Sequence, residues 1–185
     1  MKDRCPICHR RFVEAIGARV EALTTVELPS QMIDARRTIR LAGREMIWLP
    51  FEYGHIPGNA ALFDVHGRTL FAGGLVVSKT IPDMADSDIE SWLRNLSVLA
   101  ELEPLHVIAD RGNVGDQRLI FETMDYLNAL RDDAITGLQA GVDLSEIELL
   151  YPGVALQSWS GFSERHGRNL RYEMLRQERA LLQQR

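Results

Sequence analysis

The chain has 185 residues, of which 45% are hydrophobic and 25% are charged, a composition typical of a globular protein with one core. Its net charge of −5 provides no basic field for a phosphate backbone, so nucleic acid is not an expected partner. No run approaches the roughly 18 apolar residues that a membrane span needs, and the first five residues are too polar for a signal peptide. We therefore expect a single domain over residues 1–185, cytoplasmic as written and periplasmic if the start is truncated.

The first predicted element contains both cysteines, in the string CPICH at residues 5–9. This string matches the CxxCH pattern of covalent haem attachment, but a haem site also needs an export route, a distal ligand and an apolar pocket. A zinc knuckle would need a second pair of ligands, and the chain has no other cysteine. The preferred interpretation is a helix that Pro6 opens at its first turn, with apolar residues at helical spacing from Cys8 to Ile16.

Short apolar runs bounded by glycine turns predict strands arranged as hairpins. The first hairpin turns at residues 42–44, and the second turns around His66, which is interpreted as a turn residue without a catalytic role. The strands are predicted at residues 24–28, 38–41, 46–49, 60–64 and 69–72.

Apolar residues at intervals of three and four then predict amphipathic helices. An Asp or Ser in residues 83–88 can cap the first of them, which starts near Ile89 and ends before Pro104. Further helices are predicted over residues 116–137 and 163–184, with a buried strand at 105–109 and a short element at 144–150. The charged tail of the last helix, residues 173–185, is interpreted as a solvated face.

Three glycine-containing strings follow predicted strands: HIPGN at residues 55–59, FAGGL at 71–75 and IADRGN at 108–113. In their order, spacing and surrounding elements they resemble the C-terminal half of metallo-β-lactamase-fold hydrolases, most closely those associated with quinoprotein systems, over roughly residues 5–178. The resemblance implies an α/β (α+β) fold: a partial metallo-β-lactamase αββα sandwich, mainly the second sheet and its covering helices.

In that family the three strings supply a zinc-binding His, a bridging Asp and a last His. This chain retains the first as His55, but Gly74 stands at the Asp position and Arg111 at the position of the last His. Glycine has no side chain to bind zinc, and a permanently protonated guanidinium only donates hydrogen bonds. Since one imidazole does not hold zinc by itself, the resemblance implies a fold whose zinc-dependent hydrolase chemistry has been lost.

The candidate binding pocket comprises His55, Asn59, Gly74, Asp110 and Arg111, with His55 as a residual metal-ligand position and no residue assigned a catalytic role. No cofactor is expected, and the expected function is a binding or assembly module. The alternative is a zinc-dependent hydrolase whose metal site is atypical or completed by a partner chain.

Arg111 permits two interpretations. If its guanidinium points into the former metal pocket, its fixed charge can retain an anionic ligand by bidentate hydrogen bonding. Otherwise it pairs with Asp110 or Asp116 at the rim, which is the interpretation that we favour from the sequence.

The implied half of the fold also has a consequence for partners. If mainly the second sheet is present, one apolar sheet face lacks an intramolecular cover, and such faces are rarely left in water. We therefore expect a homodimer, formed by sheet-on-sheet packing, or a separately encoded partner chain.

Overall fold

The computed structural model describes residues 34–183. The predicted helix that begins at Pro6, the CxxCH string and the predicted strand at 24–28 lie outside these residues. Residues 35–185 form one compact unit, so a single domain over the whole chain stays a prediction. No helix in the described range is long and apolar enough to cross a bilayer.

The strands between residues 34 and 183 form one mixed five-stranded sheet, in which the strand order follows the chain. The first four strands pair as antiparallel neighbours, and the fifth lies parallel to the fourth. A parallel return requires a crossover, which the helix between the fourth and fifth strands provides. Both predicted hairpins are confirmed. The strands are β1 (Arg37–Leu41), β2 (Arg44–Phe51), β3 (Asn59–Asp64), β4 (Thr69–Gly73) and β5 (His106–Ala109).

The described helices are α1 (Ile89–Ala100), α2 (Arg118–Gln139), α3 (Ile147–Leu150) and α4 (Phe162–Gln183), with a 3₁₀ turn at Val154–Leu156. Helix α1 begins as its cap predicts, because the Asp88 carboxylate accepts a hydrogen bond from the Ser91 backbone N–H at 2.6 Å. It ends before Pro104 is reached, since the chain turns through Glu103 with a φ of 47°.

The core lies between one face of the sheet and the helices. Alternate strand residues contribute one side of it, and Trp92 of α1 lies at its centre with no exposed surface. The Trp92 indole N–H donates a hydrogen bond to the Leu75 carbonyl at 2.7 Å, which ties α1 to the chain just after β4. The inward-facing strand residues are Leu49, Ala61, Phe63, Leu70, Ala72 and Val107.

The opposite face of the sheet carries an apolar row across four strands. The register aligns Trp48 with Leu62, Leu62 with Phe71, and Phe71 with Ile108. Because neighbouring residues of a strand point to opposite faces, this row faces away from the core. Phe71 is 40% exposed.

Helix α4 holds the loop at residues 80–85, which leads from β4 to α1. Three of its side chains donate hydrogen bonds to loop carbonyls: Arg165 Nη1 to Ile81 O at 3.0 Å, Asn169 Nδ2 to Pro82 O at 2.9 Å and Arg176 Nη2 to Met84 O at 2.6 Å. A fourth, Arg168, pairs with the Asp83 carboxylate at 3.2 Å. We call this set of contacts the α4 clamp.

The prediction of a solvated tail on α4 is wrong at its start. Glu173 is only 2% exposed. Its carboxylate accepts hydrogen bonds from Gln177 at 2.7 Å and from Arg176 at 3.5 Å. A buried carboxylate requires such partners. Through this contact Glu173 also orients Arg176, which donates to Met84 O in the loop at residues 80–85.

Candidate functional site

The three glycine-containing strings meet at one edge of the sheet. Strands β2, β4 and β5 run in the same direction, so the loops that follow them lie at the same edge. A cavity of about 110 Å³ opens there. The residues that line it include His55, Gly74, Asp110, Arg111, Asp83 and Arg165. Four of the five candidate residues are thus brought together.

Asn59, the fifth candidate, does not line this cavity. It is the first residue of β3 and is 8% exposed. Its side-chain oxygen accepts a hydrogen bond from the Ile56 backbone N–H at 2.9 Å, a local turn contact that Asn commonly makes. Asn59 therefore shapes the loop that carries His55 instead of contributing to the pocket.

His55 is fixed on both sides of its ring. Nε2 lies 2.9 Å from the Asp83 carbonyl oxygen, and because a carbonyl only accepts, Nε2 carries the proton and Nδ1 a lone pair in the neutral ring. The ring also packs against Trp92, with centroids 5.1 Å apart. Burial lowers the pKa of His55 below its usual value, although the Asp83 hydrogen bond and the Asp110 charge oppose this shift.

Gly74 faces the other ring nitrogen. A Cβ atom at this position would lie 2.6 Å from His55 Nδ1, closer than real Cβ contacts allow, and 3.3 Å from Cε1, which is a tight contact. The backbone of Gly74 is not in the left-handed region, so space and not conformation requires glycine here. The His55 ring occupies the space that an aspartate at position 74 would need.

Arg111 lies at the rim of the cavity and is paired there. Its Nε atom is 3.5 Å from Asp110 Oδ2, and the two side chains are 70% and 58% exposed. Such an open pair contributes little stability. Asp116, the other partner considered, instead pairs with Arg118 at 2.9 Å.

These residues do not fit a zinc site. His55 Nε2 already donates to a carbonyl, and Nδ1 faces a glycine that has no ligand to offer. Arg111 adds a fixed cation where a second histidine would be needed. Within residues 34–183, no group of three His, Cys, Asp or Glu side chains is placed to hold a metal ion.

A second cavity of about 650 Å³ adjoins the first and shares Thr80, Arg111 and Arg165 with it. Its floor is built where residues 79–81 pair with Ser160, whose N–H donates to Lys79 O and whose carbonyl accepts from Ile81 N–H, both at 2.9 Å. Among the residues that line this second cavity, only Arg111 was predicted from the sequence as a candidate site residue. The sequence holds one indication that Arg165 has a role: it lies in the first turn of α4, where the helix dipole disfavours a cation.

Two histidines, the buried His166 and the half-buried His55, predict how stability depends on pH. Burial lowers the pKa of both His55 and His166 from an unfolded value near 6.5. The unfolded chain therefore binds more protons, and the free energy of unfolding should fall as the pH drops below about 6.5. Urea denaturation at pH 8 and at pH 5.5 measures this difference.

The matched controls for this prediction are substitutions of single histidines. His166→Gln should flatten the pH dependence, whereas His106→Gln, at an exposed position at the start of β5, should leave it unchanged. Equal stability of the unsubstituted chain at both pH values would contradict the prediction.

No protein-family model and no curated protein matches the sequence. Solved structures do match. A metallo-beta-lactamase from Pontibacter korlensis is 24% identical with a TM-score of 0.51, and the match covers 61% of this chain and 55% of that one. A metallo-beta-lactamase family protein from Thermus thermophilus is 22% identical with a TM-score of 0.58, covering 82% and 50%.

A double mutant of the sec-alkyl sulfatase PisA1 is 16% identical with a TM-score of 0.67, covering 83% of this chain and 27% of that one. The chain therefore spans about half the length of the first two structures and about a quarter of the third. At identities this low the likeness is one of fold. The mixed sheet, its covering helices and the three strand-end loops make the described part of this chain a portion of the metallo-β-lactamase fold.

Proposed function

We propose that this chain does not catalyse zinc-dependent hydrolysis at the His55 cavity and instead acts there as a binding module. The observation that carries the proposal is the 2.6 Å separation between His55 Nδ1 and the Cβ position of Gly74. In a zinc hydrolase the metal lowers the pKa of a bound water and polarises the substrate oxygen. The residues at this cavity offer no set of ligands for that metal. The cavity itself is present as a space in which a different ligand can bind.

Metal analysis tests this proposal. After purification with added zinc and dialysis, we expect well below one zinc per chain by mass spectrometry, and no hydrolysis of a chromogenic β-lactam or an alkyl sulfate ester. His55→Ala should leave the zinc content unchanged. A Cys5→Ser, Cys8→Ser double variant serves as control for any zinc that the CxxCH string captures.

Stoichiometric zinc that persists in the cysteine variant and disappears in His55→Ala would overturn the proposal. Zinc-dependent hydrolysis in the same preparation would then support the alternative, a hydrolase with an atypical or partner-completed metal site.

We further propose that a second copy of this chain covers the apolar row Trp48, Leu62, Phe71 and Ile108. One observation supports a homodimer: the row runs unbroken across four strands and leaves Phe71 40% exposed. An apolar strip of this kind is typical of a protein interface.

Sedimentation velocity at micromolar concentration should therefore report a dimer. Phe71→Glu should shift it to monomer, because a carboxylate cannot be buried in an apolar interface without a partner. Phe121→Glu, at a phenylalanine of α2 that is 47% exposed, is the matched control and should leave the dimer intact. A monomeric unsubstituted chain would contradict the proposal.

A further inference from the structure

The two adjoining cavities share Arg111 and Arg165 in their linings, and we call the two together the arginine cavity. The two arginines come from distant elements: Arg111 follows β5, and Arg165 lies in the first turn of α4. The cavity is therefore a product of the tertiary fold and not of a single loop.

Both guanidinium groups keep hydrogen-bond donors free. Arg165 uses Nη1 to bind Ile81 O, and among the described ion pairs it has no carboxylate partner. Arg111 meets Asp110 through Nε at 3.5 Å, which leaves its two terminal nitrogens available. A guanidinium with unused donors matches the planar oxygens of a carboxylate or a phosphate.

The remaining charges at this cavity are largely compensated. Lys79 pairs with Glu122 at 3.0 Å, and Asp83 pairs with Arg168 at 3.2 Å. Two carboxylates are less well compensated: Glu164 is exposed and has no partner among the described ion pairs, and Asp110 is 58% exposed and lies 3.5 Å from Arg111 Nε. Both carboxylates oppose an anion, whereas the two arginines and the amino terminus of the 22-residue helix α4 favour one.

We propose that the arginine cavity binds a small oxyanion, a carboxylate or a phosphate group, between the guanidinium groups of Arg111 and Arg165. This proposal rests on the proposed function, since it names the ligand class of the binding module. In this proposal Arg111 binds the anion through its terminal nitrogens. It can remain paired with Asp110 at the same time, because that pair uses Nε.

The test is calorimetric titration of the full chain, treated with EDTA, with inorganic phosphate and separately with acetate and succinate at constant ionic strength. We expect saturable binding of phosphate or of the carboxylates, and the arm that responds identifies the class. Arg111→Ala should weaken binding about tenfold or more, as expected from the loss of one charge-assisted pair.

Two further variants sharpen the test. Arg165→Lys retains a donor for Ile81 O but loses the planar fork, so it should also weaken binding. Glu164→Gln removes the opposing carboxylate and should tighten it. Arg171→Ala, on the same helix but paired with Glu148, is the matched control and should bind as the unsubstituted chain does.

Absence of saturable binding for every anion, or an Arg111→Ala variant that binds as tightly as the unsubstituted chain, would overturn the proposal. Weaker binding by Glu164→Gln would also count against it. If Arg165→Lys fails to fold, the titration of Arg111→Ala decides the outcome, because Arg111 is exposed. Because the titration uses metal-free protein, its failure is distinct from a failure of the proposed function, which zinc analysis reports.

Discussion

Replacing Trp92 with alanine is expected to lower the free energy of unfolding by about 3–5 kcal/mol. The indole is fully buried in the core, supports the His55 ring and donates a hydrogen bond to Leu75 O. Its removal leaves a large cavity and an unpaired buried carbonyl, and both cost stability. Urea denaturation followed by circular dichroism measures the change.

Trp92→Phe separates the two contributions, because it keeps an aromatic ring but loses the indole N–H. We expect it to lie between the unsubstituted chain and Trp92→Ala. Phe121→Ala, at an exposed ring on α2, is the surface control and should change stability by no more than about 0.5 kcal/mol. A loss of less than about 1 kcal/mol in the free energy of unfolding of Trp92→Ala would argue against the packing of Trp92 in the core and against the His55 ring.

Introducing an aspartate through Gly74→Asp, at the position where the resemblance implies one, is expected to destabilise the protein by about 1–3 kcal/mol, a usual cost of overpacking. The new Cβ would lie 2.6 Å from His55 Nδ1, so the ring must leave its place and break its bond to Asp83 O. For the same reason the substitution should not raise the zinc content. Chemical denaturation and metal analysis of the same preparation check both statements.

The control for Gly74→Asp is the same substitution in a His55→Ala background. There the space is open, so the added side chain should cost much less, and a double-mutant cycle should return a coupling between the two positions. An equal cost in both backgrounds would mean that His55 is not the neighbour that excludes a side chain at position 74.

Much of the sheet could be predicted from sequence because its signals are local. Apolar runs around glycine turns specified both hairpins, and the three glycine-containing strings marked the strand ends that meet at the cavity. That His55, Gly74 and Arg111 lie together at one cavity could be predicted from the resemblance, because the resemblance implied the order of the strands. The position of the His55 ring did not follow, since no local pattern encodes which way an imidazole turns.

The contribution of α4 was missed for a related physical reason. Helical periodicity treats polar residues as solvent-facing, yet Asn169 and Glu173 are buried because they bind partners that lie far away in the sequence or support those that do. Asn169, for example, joins Pro82 O to the Tyr126 hydroxyl, each at 2.9 Å. A contact between residues 87 positions apart cannot be recognised from the pattern of polar and apolar residues in one helix.

The α4 clamp also bears on when the site can form during synthesis. The loop at residues 80–85 is translated long before the side chains that fix it, since Arg165, Asn169 and Arg176 belong to the last described helix. A nascent chain that has completed its sheet still lacks this wall and the second guanidinium. The anion binding that we propose at the arginine cavity therefore requires that the chain through Arg176 has left the ribosome and that α4 has docked.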